Sequence, residues 1–95
     1  MLYVVDVVEQ KRRVIPAVTH VDGTARLQTV LEETAPRYYR LIEQFGKATG
    51  VPMVLNTSFN LRGEPIVNTP REAFSTFRRS DLDLLVLDRF LVAKV

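Results

Sequence analysis

The sequence contains no cysteine and only one histidine in 95 residues. Without cysteine there is no disulfide, no thiolate metal site and no thiol nucleophile. A reducing, cytoplasmic setting is compatible with that, and a cytoplasmic location is expected. With His20 as the sole histidine, no multi-histidine metal site can be assembled. The four glycines, at 23, 46, 50 and 63, match neither the Walker nor the dinucleotide spacing. No Gly-x-Ser-x-Gly elbow occurs. No apolar run is long enough to span a bilayer, so no membrane partner is expected. The opening Met1 to Asp6 has no basic leader, so no signal peptide is expected. Charge of one sign is also scarce: the formal net charge is +2 and the pI about 9.3. Basic residues cluster only at Lys11–Arg13 and Arg78–Arg79. Solvated loop and helix-end charge explains them better than an anion patch, and no nucleic-acid partner is expected.

What is present fits one small α/β (α+β) domain over residues 1–95, with 46% hydrophobic and 25% charged residues. Residues 2–8 are β-branched and apolar and read as a strand. Residues 14–19 read as an edge strand interrupted by Pro16. Asp22-Gly23 marks a tight turn, and residues 25–30 read as a short strand. A helix then runs towards Gly50, with Thr34 as cap and Pro36 in its first turn. Tyr38, Leu41, Ile42 and Phe45 line one face, and Gly50 with Pro52 ends it. Residues 51–55 read as a buried strand. A second helix opens at Thr69-Pro70-Arg71-Glu72, a capping box, with Ala73, Phe74 and Phe77 inward. Residues 84–87 and 90–93 read as further strands. Such an order predicts a mixed twisted sheet with helices mainly on one face. The loop from Asn56 to Gly63 would then leave a strand's C-terminal end, where open sheets place ligands.

Two stretches carry chemistry. Asn56-Thr57-Ser58-Phe59-Asn60 packs amides and hydroxyls at close spacing, a set suited to phosphate or carbamoyl oxygens. Arg62 adds a bidentate fork. Side chains of these types also stabilise turns by bonding to nearby backbone, and composition leaves both readings open. Phe59 reads as a core anchor. The second stretch runs from Thr19 to Arg26. His20 beside Asp22 is an acid–base pair by type, but a hydrogen-bonded turn accounts for it better. Arg26 faces either an anion or solvent. Glu32-Glu33 and Asp81 with Asp83 read as capping and solvated charge rather than acid–base pairs.

The run Pro16 to Val30, together with Pro52 to Asn60 and Gly63 to Val67, resembles two signature blocks of the carbamoyltransferase C-terminal domain. That family carbamoylates nodulation factors, aminoglycosides and cephem antibiotics. The resemblance implies a partial YrdC-like fold and a partner N-terminal actin-like domain that holds ATP and a metal ion; no cofactor is expected in this chain itself. It implies that carbamoyl phosphate binds here, is cleaved to carbamate, and passes through carbamoyl adenylate to a substrate hydroxyl. Carried over by position, Arg26, Asn56 and Ser58 hold carbamoyl phosphate, with His20 and Arg62 as weaker candidates. The family's Gly-Pro-Arg-Ala-Leu-Gly block, which lies upstream and supplies more basic ligands, is not in this sequence. The chain is therefore expected to be a fragment that is not a competent transferase by itself. The rival expectation is a non-catalytic module that pairs as a homodimer through an open strand edge.

Overall fold

The structure is a computed structural model that describes residues 3–94. The chain divides into two compact units, Met1–Asn56 and Thr57–Val95. The division falls inside the Asn56–Asn60 stretch.

In the first unit, β1 (Val4–Asp6) pairs antiparallel with β2 (Thr24–Arg26). The register sets Val4 opposite Arg26 and Asp6 opposite Thr24. Two further bonds extend the ladder, Val7 N–H to Gly23 O at 2.9 Å and Leu27 N–H to Tyr3 O at 3.3 Å. The first expected strand is thus shorter than 2–8, and its Leu2 lies outside the described residues. Val7 and Ala25 are buried. Gly23 has φ +81°, and a Cβ there would sit 2.5 Å from the Arg12 guanidinium carbon. Arg12 holds that position by donating from Nε to Val7 O at 3.1 Å. Only glycine suits both the backbone angle and the close approach.

Residues 14–19 are not a strand. Pro16–Val18 forms a 3-10 turn instead. The fixed φ of Pro16 suits the first position of a helical turn. Thr19 then closes it, its N–H on Pro16 O and its hydroxyl on Ile15 O. The expected strand at 25–30 is confined to its first residues: the last ladder bond among the described residues is that of Leu27 to Tyr3.

Helix α1 (Pro36–Thr49) ends at Gly50, whose φ of +81° makes the left-handed cap that the sequence predicts. Its start differs. Ala35 is the N-cap and no side chain caps it, because the Thr34 hydroxyl is turned back on Leu31 O at 3.3 Å. The apolar stripe is only partly covered: Ile42 is half-buried, while Leu41 and Phe45 are 58% and 44% exposed. The chain then folds Pro52 onto Gly46. A Cβ on Gly46 would lie 2.8 Å from Pro52 Cβ and 3.0 Å from its Cα. Gly46→Ala therefore sets a helix-propensity gain of about 1 kcal/mol against a backbone clash of about 1–3 kcal/mol. The expected outcome is a lower melting temperature by circular dichroism; a higher one would mean that the turn at Pro52 yields freely.

Residues 51–55 form no ladder. Pro52 has no N–H, and Met53 N–H closes a three-residue turn on Val51 O at 2.9 Å. The Asn56 loop thus leaves an irregular segment rather than a strand end.

The second unit packs α2 (Pro70–Arg79) against a hairpin of β3 (Leu84–Leu87) and β4 (Phe90–Ala93). Thr69 caps α2, its hydroxyl accepting Glu72 N–H at 3.1 Å. Ala73, Phe77 and Leu85 are the buried core, with Phe59, Val67, Leu87 and Val92 against them. Lys94 crosses over Phe77, its ammonium 5.0 Å from the ring centroid, and donates to Ser80 O. Phe74, expected inward, is 45% exposed under Arg78. The class is α+β as expected, but the described strands form two separate antiparallel pairs rather than one mixed sheet.

Candidate functional site

In the first unit one bond ties Asn56 to a residue just past the Thr19–Arg26 stretch. Asn56 Nδ2 donates to Gln28 Oε1 at 2.9 Å, across 28 positions of sequence. Gln28 stands two residues beyond Arg26, past the end of β2. Arg26, Gln28 and Asn56 are all exposed. Arg26 makes no ion pair with any described residue, so its guanidinium is open to an anion. Gln28 was not singled out from sequence. The only available signal was its place two residues after Arg26.

That bond also separates two asparagines that composition could not. A turn-stabilising asparagine bonds to backbone one to four residues away. Asn60 does so: its Nδ2 donates to Leu61 O and Glu64 O, both at 3.1 Å. Asn56 instead reaches a distant side chain. The turn reading therefore fits Asn60, and a different role is open to Asn56.

His20 sits in the β1–β2 connection as part of a bonded turn. Its N–H donates to Thr24 O at 2.7 Å, and Gly23 N–H donates to His20 O at 2.9 Å. Asp22 Oδ1 accepts the Thr24 hydroxyl at 2.6 Å and the Thr24 N–H at 3.1 Å. These two bonds, the hydroxyl first, hold the Asp22 carboxyl below the usual carboxylate range. His20 Nδ1 lies 3.3 Å from Thr24 Oγ1. The hydroxyl proton already points at Asp22, so this contact is a hydrogen bond only when Nδ1 carries a hydrogen. The geometry supports the structural role for this cluster.

Ser58 and Arg62 belong to the second unit. The Thr57 and Ser58 hydroxyls are exposed and unbonded among the described residues. Phe59 anchors the loop on the Phe77 core, as expected, and its carbonyl accepts Val67 N–H at 2.8 Å. Arg62 lies at the exposed tip of the turn closed by Glu64 N–H on Leu61 O at 3.0 Å, with Gly63 at φ +83°. Glu64 holds Arg79 at 2.5 and 3.0 Å, a two-bond fork.

Hydrogen bonds from Arg79, reinforced by its charge, lower the Glu64 pKa. The folded value then lies below the unfolded one, so the contribution is present above the usual carboxylate range. It is lost as pH falls through the folded value. Both groups are exposed, so the effect is small. The expected result is that Glu64→Gln lowers stability slightly at neutral pH and leaves it unchanged below the carboxylate range, so that the acid limb of the stability–pH curve is flatter. An unchanged acid limb would contradict it.

The family model for the carbamoyltransferase C-terminus matches residues 1–94. This chain belongs to that family. It is 53% identical over 94 residues to the nodulation protein NolO of Bradyrhizobium diazoefficiens, covering 99% of this chain and 17% of that protein. It is 48% identical over 52 residues to the 3'-hydroxymethylcephem-O-carbamoyltransferase of Amycolatopsis lactamdurans, covering 55% of this chain and 10% of that enzyme. An uncharacterised protein of Synechocystis is 54% identical over 83 residues, covering 87% of this chain and 14% of its own length. The chain thus spans less than a fifth of the relatives it matches.

Among the described residues no group of three His, Cys, Asp or Glu side chains that could hold a metal ion occurs. No helix among them is long and apolar enough to cross a membrane.

Proposed function

We propose that this chain provides the carbamoyl phosphate-binding surface of an ATP-dependent O-carbamoyltransferase. Arg26 neutralises the phosphate through a guanidinium fork, and Asn56 bonds the carbamoyl end. Water hydrolyses carbamoyl phosphate to carbamate and phosphate. Carbamate then reacts with ATP, releasing diphosphate, in an actin-like domain of the longer protein. The resulting carbamoyl adenylate gives its carbamoyl group to a hydroxyl, and AMP leaves. His20, in the same unit, is a secondary ligand in this reading. A cytoplasmic location follows from the donor and ATP.

The observation that carries the reading is the Asn56–Gln28 bond, which ties Asn56 to a residue two positions beyond Arg26. Family membership and the activity printed for the cephem relative support it. Titration calorimetry of the 95-residue chain with fresh carbamoyl phosphate tests it. Weak, saturable heat is expected, because the binding groups are solvent-exposed; no heat at millimolar ligand would remove the reading. The same chain incubated with carbamoyl phosphate, ATP and a hydroxyl acceptor is expected to form no carbamate ester.

A further inference from the structure

We propose that helix α1 is a dimer seam, against which a second copy of this chain packs antiparallel about a twofold axis. The proposal is independent of carbamoyl phosphate binding. α1 has no buried residue, although a helix of its length is marginal in water and is stabilised mainly by packing an apolar face. Tyr39, Ile42 and Gly46 are half-buried and share one side, with Gly46 against Pro52. Beside that side runs a second stripe, Tyr38, Leu41, Phe45 and Ala48, whose three large residues are 38%, 58% and 44% exposed. Its alternation of three and four positions is that of a knobs-into-holes seam. The charged Arg40, Glu43 and Lys47 lie away from the stripe, and there Glu43 and Lys47 pair at 3.8 Å.

The order of the stripe says what covers it. Reversed about the level of Glu43, it sets Leu41 over Phe45 and Tyr38 over Ala48, so the tyrosine meets the smallest residue. A second copy turned antiparallel supplies that reversed order by symmetry. Gln44 flanks the seam and meets its own counterpart beside the axis, where one amide donates and the other accepts. Arg37, on the same flank, comes towards the C-terminal end of the other helix, which favours a cation. The chain also has surface to give up. It exposes 8449 Å², whereas two separate compact bodies of 56 and 39 residues would expose roughly 6,700 Å². Next to the seam, Phe45 and Thr49 border an open cavity of about 400 Å³ whose far wall includes the exposed Met53 and Leu55. Stripe and cavity wall together offer roughly 500 Å² per copy, below the ~800 Å² per partner of a standard interface, so a weak, reversible dimer is expected.

Sedimentation equilibrium of the 95-residue chain, from low micromolar to millimolar concentration, should show that monomer–dimer equilibrium. Leu41→Glu should weaken it roughly 100-fold, because a twofold axis counts the lost burial twice. Phe45→Lys should act similarly, and Arg40→Ala, off the seam, should change nothing. Mixed in equal amounts, the Leu41→Glu and Phe45→Lys chains should associate again, since the axis sets those two positions against each other. Circular dichroism of the dilute variants checks that they stay folded. Gln44→Glu leaves the apolar stripe intact and needs no such check; it should weaken the dimer about tenfold at low salt by setting like charges together. A chain that stays monomeric at millimolar concentration overturns the proposal, and the stripe is then covered by another part of a longer polypeptide or by a different partner. A dimer that Leu41→Glu and Gln44→Glu leave as tight as wild type, or a mixture that stays monomeric, also overturns it.

Discussion

Arg26→Ala should weaken carbamoyl phosphate binding by roughly 10- to 100-fold, the range of a charge-assisted hydrogen-bonded contact. The lower end is expected, because Arg26 is exposed and salt screens it. Asn56→Ala should cost about tenfold or less, since it removes a neutral contact. The two losses differ in kind. Raising the salt concentration should shrink the Arg26 effect and leave the Asn56 effect almost intact, because only the first is ionic. Arg13→Ala is the control: it lies in the connection between β1 and β2 and has no part in the proposed site, so its loss should change affinity only slightly. Calorimetry on the three variants decides the matter. Equal affinities for wild type, Arg26→Ala and Asn56→Ala would remove the assignment of both residues.

Phe77→Ala should unfold the second unit. Phe77 is 1% exposed, the largest fully buried side chain described, and it packs with Ala73 and Leu85. Truncating such a phenylalanine costs about 3–5 kcal/mol through lost burial and the cavity left behind. A unit this small has few other buried residues to offset that, and it also loses the Lys94 contact over the ring. The expected result is loss of dispersed amide signals from α2 and the β3–β4 hairpin in a two-dimensional NMR spectrum. Phe74→Ala, at a 45% exposed position, should lower the melting temperature far less. Similar losses from both would mean that the core is not where the structure puts it. Retention of the Asn56–Gln28 region in Phe77→Ala would further show that the first unit folds independently.

Sequence carried the features whose chemistry is local. The end of α1 at Gly50 and the Thr69 cap of α2 depend on residues within one turn, and both were legible. The β3–β4 hairpin was legible for its two apolar runs, and its two-residue turn places Asp88 at φ 53°. Residues 51–55 misled because a short apolar run looks alike as strand or coil. Pro52 and the Met53 turn decide it, and whether a ladder partner exists is a tertiary fact. Thr34 misled because its hydroxyl had a competing carbonyl one turn back.

The site was half legible. Arg26 and Asn56 stood out by type and by resemblance, but composition gave Asn56 and Asn60 the same standing. Only the fold distinguishes them, since one bonds its own loop and the other bonds Gln28. Gln28 itself carried no chemical signature. A polar residue on an extended run is common, and its significance depends on a contact 28 residues away.

The most direct test of the central claim is an NMR titration of the 95-residue chain with carbamoyl phosphate, following backbone and side-chain amide signals. The predicted result is saturable shifts centred on Arg26, Gln28 and Asn56, with the Asn56 and Gln28 side-chain amides among the largest. Shifts confined to other residues, such as the Glu64–Arg79 turn, or no shifts at saturating ligand, would contradict it.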